Sequence, residues 1–225
     1  MYEQAAAPPG VAPDRVRRSR ATEFGCRALD LAIASSLLVL LAPLLLVIAL
    51  VIRLDSRGPA LFRQRRLGRD LRPFVVNKFR TMHVDMRDDE HRAFVQRLIA
   101  GDAERHRELF KLAGDQRVTR AGRFLRKSSL DELPQLLNVV LGQMSLVGPR
   151  PPLDYEVEKY PAHAFGRFAV QPGITGWWQV CGRSQLSFDE MIALDLEYAA
   201  QRSLWFNVRI LARTLPVVLL GRGAT

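Results

Sequence analysis

Cysteine is close to absent: Cys26 and Cys181 are the only two in 225 residues. They stand far apart and without paired spacing, which excludes a disulfide framework and supplies no zinc motif. A reducing compartment suits such a chain. Histidine is scarce as well, with four in all. His83, His91 and His106, together with Asp85, Asp88 and Asp89, match no metal-ligand spacing, and exposed charged helices commonly carry such residues. Acidic residues are in deficit, 23 against 33 basic ones, for a net charge of +10. That excess suits anionic lipid, nucleotide phosphates or nucleic acid equally well. No helix-turn-helix, zinc finger or aromatic RNA-binding signature accompanies it, so nucleic acid is set aside as a partner.

Long apolar runs are also few. One stretch, Leu31 to Ile52, is uncharged and long enough to span a bilayer as a helix. It is too long for a signal-peptide core and lacks a small-residue cleavage site. Residues 1–14 before it are rich in Ala and Pro and read as a disordered tail. Arg15, Arg17, Arg18, Arg20 and Arg27 flank the run on one side; Arg53, Arg57, Arg63, Arg65 and Arg66 flank it on the other. The positive-inside rule puts both flanks in the cytoplasm. A straight helix cannot satisfy that, whereas one broken near Pro43 can enter and leave by the same face, because proline removes a helix hydrogen bond and clashes with the preceding turn. The run taken alone favours an ordinary signal-anchor helix, since membrane helices tolerate proline.

Beyond the run, Leu61 to Met82 reads as a short hairpin turning at Gly68-Arg69-Asp70. Lys78 and Arg80 would share one strand face, a pair that either binds phosphate or is solvated surface charge. From His83 to Gly114 the chain is heavily charged with apolar residues at helical spacing, which predicts two amphipathic helices broken near Gly101. Arg117 to Arg126 is a second basic amphipathic piece, facing anionic lipid or substrate. Gln171 to Arg183 crowds a Pro-Gly turn, Trp177, Trp178 and Arg183 into a small span that serves either as a core turn or as a ligand contact. Leu186 to Tyr198 predicts an amphipathic helix. Ser203 onward opens a final apolar one, with Arg209 and Arg213 on one face and aromatic residues suited to a membrane interface.

The densest chemistry lies between these pieces. Ser129 followed three residues later by Glu132 has the form of a capping box, which predicts a helix from there through Leu141, ended by Gly142. Asp131 and Glu132 would then occupy its first turn, where unpaired N–H groups and the helix dipole favour anions and keep Asp131 ionised. Adjacent acids at that place either stabilise a helix start or supply a nucleophile. Arg126, Lys127 and Arg150 around them favour chemistry, because Arg150 sits between prolines on a stiff loop and a planar guanidinium matches phosphate oxygens.

Ser129-Leu130-Asp131-Glu132-Leu133-Pro134-Gln135, with Met144-Ser145-Leu146-Val147-Gly148-Pro149-Arg150-Pro151 after it, resembles the bacterial sugar transferases, and more narrowly the monotopic polyprenyl-phosphate phosphoglycosyl transferases. The likeness runs from about Phe24 to Ala224. It also takes in Lys78-Phe79-Arg80-Thr81-Met82 and the block from Pro172 to Arg183. The chain departs from the family at Ala42, Gln171, Cys181 and Asn207, where Ser, a basic residue, Asn and Asp are usual.

The resemblance implies transfer of a sugar 1-phosphate from a UDP-sugar to undecaprenyl phosphate, giving undecaprenyl-diphosphate-sugar and UMP. Such a step would initiate exopolysaccharide, capsule, O-antigen or glycoconjugate synthesis. Asp131 would be the nucleophile of a covalent aspartyl phosphosugar intermediate. Glu132, with Asp131, would hold Mg²⁺. Arg126, Arg150, Lys78 and Arg80 would bind phosphate, and Trp177, Gln179 and Arg183 the nucleotide sugar. Pro43 would mark the kink of a re-entrant helix at the cytoplasmic face of the inner membrane, among anionic lipids. Downstream glycosyltransferases and a homodimer stay open as partners.

The expected fold class is α+β and mostly helical: a small catalytic domain with a short β-hairpin, anchored by an N-terminal Pro-kinked re-entrant membrane helix and interfacial amphipathic helices. The expected boundaries are a basic tail over 1–20, the membrane helix over 21–58, and the catalytic domain over 59–225 with a charged helical insert at 83–115. Composition also fits a membrane-surface module without catalysis, and the same Asp would suit a membrane phosphatase.

Overall fold

The computed structural model describes residues 19–83, 117–182 and 186–219. The expected tail over 1–20 falls almost wholly outside them, as do most of the 83–115 insert and Arg183. The described residues are mostly helical with two small sheets.

Helix α1 (Arg20–Asp55) starts at Ser19, whose hydroxyl oxygen accepts the Thr22 N–H at 3.1 Å. Its 36 residues would reach roughly 54 Å at 1.5 Å each. The expected break at Pro43 does not appear as a helix end. The ring lies inside a continuous helix, where its missing N–H removes one hydrogen bond. Val39, Leu40, Leu46, Leu50 and Leu54 are exposed along it. Among the described residues, α1 is the one helix long and apolar enough to cross a membrane.

Both ends of α1 dock on the rest of the molecule. Near its start, Arg27 donates to the carbonyls of Val139 and Val140 at 2.6 and 2.8 Å, and buried Asp30 accepts the Leu146 N–H at 2.9 Å. Near its end, Ile48 and Ile52 pack with Phe79 and Leu125, and Asp55 accepts the Ala121 N–H at 3.0 Å.

The hairpin forms as expected. Strands β1 (Leu61–Leu67) and β2 (Pro73–Phe79) pair antiparallel, with Phe62 opposite Lys78 and Gln64 opposite Val76. A single 3₁₀ turn at Arg69–Leu71 joins them, with Asp70 and Leu71 at positive φ. In the second described stretch, Thr119 caps α2 (Arg120–Ser128), its hydroxyl oxygen accepting the Gly122 N–H at 2.9 Å.

The helix predicted from Ser129 through Leu141 is corrected by the structure. Ser129 closes α2 instead of opening a new helix: it sits in the left-handed region at φ 56°, with its N–H turned back to the Arg126 carbonyl. No side-chain cap forms there. Leu130–Glu132 make a 3₁₀ turn, and α3 (Gln135–Val140) begins only after Pro134. A non-glycine residue at positive φ costs about 1–3 kcal/mol, and such strain collects at functional turns. Here it lies two residues before Asp131.

A second sheet went unforeseen. Strands β3 (Ser145–Val147) and β4 (Gly173–Thr175) pair parallel, with Ser145 opposite Gly173 and Val147 opposite Thr175. Two glycines permit the approach: a Cβ on Gly173 would lie 2.0 Å from the Gly148 nitrogen, and one on Gly148 would lie 2.3 Å from the Gln171 carbonyl oxygen. The loop leaving β3 carries Arg150. Helices α4 (Asp154–Val157), α5 (Trp177–Cys181), α6 (Phe188–Gln201) and α7 (Leu204–Leu219) complete the described chain. Ser187 and Glu190 form a true capping box at the start of α6. Met191 and Ile192 of α6 pack on Phe165, Phe168 and Trp178, while Tyr198 joins Val76, Val139 and Val147 in a second core.

Candidate active site

The β2 strand and the strained turn meet at one ion pair: Lys78 Nζ lies 3.1 Å from Glu132 Oε1. Lys78 is pushed below the ordinary lysine range by burial and by the Arg66 and Arg150 charges, while Glu132 and Asp131 oppose the shift. Four charged side chains, Glu132, Arg66, Asp131 and Arg150, thus act on Lys78. Arg66, from β1, is also held down, to about 10, mainly by burial and then by Arg150. Half-buried Asp131 lies within this field. The positive charge that acts with it is Lys78, on β2, instead of the helix N-terminus that was expected.

The Gly148–Pro152 loop is fixed from several sides. Arg66 donates to the Pro151 carbonyl, Leu67 N–H to that of Pro152, and Gly173 N–H to that of Pro149. Arg167 donates to the Arg150 carbonyl at 3.0 Å. The Arg150 guanidinium itself lies 3.3 Å from a carboxylate oxygen of fully buried Glu156. Beneath it, Arg167 Nη2 lies 2.6 Å from Asp195, and Nη1 donates to the Tyr160 hydroxyl at 2.7 Å. Asp195 is pushed up to about 6 by burial, with Arg167 opposing. A stiff loop thus presents one guanidinium at a stated place.

Not every predicted residue converges here. Lys78, Asp131, Glu132 and Arg150 do. Arg126 is half-buried in the last turn of α2, five positions before Asp131. Arg80 does not join them: it follows the end of β2 at Phe79, is buried, and donates to the carbonyls of Arg57 and Ser56 just past the end of α1. These carbonyls follow directly on the helix C-terminus, where the dipole favours a cation. Trp177 and Gln179 sit on α5, where the Trp177 N–H donates to Glu197 at 3.0 Å and its ring meets Phe206 edge-on at 5.0 Å.

A sequence profile of one family, the bacterial sugar transferases, matches residues 21–221. This chain belongs to that family. It is 46% identical over 174 residues to the galactosyl transferase CpsE of Streptococcus agalactiae, covering 77% of this chain and 37% of that protein. Over 208 residues it is 44% identical to the UDP-glucose:undecaprenyl-phosphate glucose-1-phosphate transferase of Caulobacter vibrioides, covering 88% and 71%. The exopolysaccharide production protein ExoY of Rhizobium meliloti is 40% identical over 199 residues, covering 88% and 87%. The chain spans about two fifths of the length of the Streptococcus relative and of an Erwinia amylovora relative.

Four residues around these groups are not singled out by the sequence as individuals: Arg66, Glu156, Arg167 and Asp195. Each is buried, and a lone charge in a mixed stretch carries no sign that it faces inward. As to a metal, no group of three or more His, Cys, Asp and Glu side chains gathers among the described residues. The two adjacent carboxylates of Asp131 and Glu132 remain. That donor set fits Mg²⁺, which is commonly held by one or two carboxylates while substrate phosphates and water complete its shell.

Proposed function

We propose that this chain moves a sugar 1-phosphate from a UDP-sugar to undecaprenyl phosphate, releasing UMP. The observation that carries the reading is the 3.1 Å Lys78–Glu132 ion pair on the turn that also carries Asp131, with the Arg66 and Arg150 charges close enough to act on Lys78. A diphosphate donor brings negative charge that such a cradle neutralises.

In the first step an Asp131 carboxylate oxygen attacks the sugar-linked phosphorus. The new bond is an acyl phosphate, and the bond from that phosphorus to the oxygen shared with UMP breaks, leaving that oxygen on UMP. In the second step an oxygen of undecaprenyl phosphate attacks the same phosphorus, and Asp131 leaves as a carboxylate. Arg150 and Arg126 hold the phosphate charge as it shifts between oxygens. Lys78 exchanges its Glu132 partner for a donor oxygen as substrate enters. Asp131 and Glu132 would hold Mg²⁺, which when bound neutralises diphosphate charge. Trp177, Gln179 and Arg183 serve the nucleotide sugar.

The sugar and the polysaccharide are read from products. A UMP-release screen across UDP-sugars, with undecaprenyl phosphate and Mg²⁺, should show one or a few productive donors and lose activity on adding chelator. Full activity with chelator, or free sugar phosphate in place of a lipid product, would overturn the metal and acceptor assignments respectively.

The membrane placement follows the same reading: α1 enters and leaves by the cytoplasmic face of the inner membrane. The path needs a bend within α1, for which Pro43 is the residue, and the docking of both ends on one body supports it, since a straight span separates its ends by a hydrocarbon core about 30 Å thick. A cysteine placed next to Met1, in intact cells, should stay unlabelled by a membrane-impermeant maleimide until the cells are opened. Labelling from outside would rule re-entry out.

A further inference from the structure

The proposed reaction needs a place for the acceptor lipid, and no residue above provides one. Helix α7 carries two exposed arginines one turn apart, Arg209 and Arg213. Both guanidinium groups lie over the Trp177 ring, with their central carbons 5.9 and 5.2 Å from its centroid. The ring is fixed beneath them by Glu197 at its N–H and by Phe206 at its edge. α7 is in turn fastened to the β3–β4 sheet: the Tyr198 hydroxyl bridges Val147 and Asn207 at 2.8 and 2.9 Å, and Thr214 meets Thr175 at 2.9 Å.

The rest of the exposed α7 face is apolar. Trp205, Val208 and Leu215 stand in solvent at 76, 37 and 63% exposure. At about 100° per residue these three share one stripe, and Arg209 and Arg213 run along its edge toward Trp177. On its buried side the helix packs by Phe206, Ile210 and Leu211 with Ala34, Leu37 and Leu38 of α1, just before the exposed apolar part of that helix. The same packed cluster holds Trp177 and Leu133, two residues beyond Asp131. One packed cluster thus links the helix that carries the apolar stripe and the two arginines to the turn that carries Asp131.

We infer that Arg209 and Arg213 receive the phosphate of the lipid acceptor, a phosphomonoester whose hydrocarbon tail lies along the Trp205–Val208–Leu215 stripe. The inference rests on the transferase reading, and deepens it. Cation–π contact with Trp177 holds both guanidinium groups beside one another and lowers the entropy lost on binding a phosphate.

The test uses the full chain in detergent or nanodiscs and follows UMP in two phases. Before any acceptor is added, the Arg209→Ala/Arg213→Ala protein should release the same UMP burst as wild type, within twofold. With undecaprenyl phosphate varied, its acceptor KM should rise by about tenfold or more, while the UDP-sugar KM, which also reads the Trp177 ring beneath the two arginines, should change by no more than about threefold. Arg209→Lys/Arg213→Lys should recover most of that loss, because charge is kept. Flotation with neutral-lipid vesicles should show binding promoted by a few per cent of undecaprenyl phosphate more than by phosphatidylglycerol, and the promotion should vanish in the alanine pair. Inorganic phosphate should not compete at millimolar levels if the lipid is the ligand; competition would identify a free-phosphate site and overturn the assignment. An unchanged acceptor KM, or a raised UDP-sugar KM alone, would overturn it too, with the burst showing that the transferase reading survives. A wild-type protein with no burst would sink the transferase reading instead, and this inference with it.

Discussion

Asp131→Asn is expected to lower UMP release from any UDP-sugar by at least about a thousandfold, the scale on which enzymes lose activity when a nucleophile that acts as part of a unit is removed. The amide has the shape of the carboxylate but cannot form the acyl phosphate. Asp131 is half-buried, and the 3₁₀ turn that carries it is closed by backbone bonds such as that from the Glu132 N–H to the Ser129 carbonyl, which the amide leaves in place. The variant should therefore melt within a few degrees of wild type, which separates lost chemistry from lost fold. Glu132→Gln should act differently: it removes a metal donor and the partner of Lys78, so its activity loss should shrink as Mg²⁺ is raised. Normal turnover by Asp131→Asn would remove the nucleophile assignment. An equal and Mg²⁺-independent loss in both variants would remove the division of roles.

Asp195→Ala should have the largest effect on stability, about 3–5 kcal/mol, because it leaves the Arg167 guanidinium buried without its 2.6 Å partner. A urea midpoint measured by fluorescence would read the loss. Two buried charges replaced together behave otherwise, so Asp195→Leu/Arg167→Met should recover much of the stability. It should not recover activity. Arg167 also holds the Arg150 carbonyl and the Tyr160 hydroxyl, and without it the loop presenting Arg150 loses a support. A double variant as active as wild type would show that Arg150 needs no such anchoring.

Two stretches of the same form, Ser-x-x-Glu, show how far local sequence carries. At Ser187 the box closes: the Ser187 hydroxyl oxygen accepts the Glu190 N–H, and Glu190 accepts the Ser187 N–H at 2.7 Å. At Ser129 it does not, because α2 arrives there first and Pro134 follows too closely. The difference is set by the flanking elements, which the four-residue pattern does not contain. Consequently the position of Asp131 and Glu132 was legible, as was their basic company, but the origin of the local positive potential was not.

Other pieces divide in the same way. The hairpin was readable from its turn residues and alternating strands, and α1 from its uncharged length. The β3–β4 sheet was not, since three-residue strands have no period to detect and their pairing depends on Gly148 and Gly173 meeting from distant positions. Arg80 illustrates the opposite error. Its spacing from Lys78 implied a shared face, yet the strand stops one residue earlier, and the end of α1 supplies carbonyls that claim the side chain. Spacing predicts a common face only while the strand lasts.

The most direct measurement concerns the acyl phosphate itself. Wild-type protein mixed with a productive UDP-sugar and no lipid, quenched within seconds and weighed intact, should gain the mass of one phosphosugar, and Asp131→Asn should gain none. Adding undecaprenyl phosphate before the quench should remove the added mass. A preparation that turns over normally yet never carries that mass at any time point would contradict covalent transfer through Asp131.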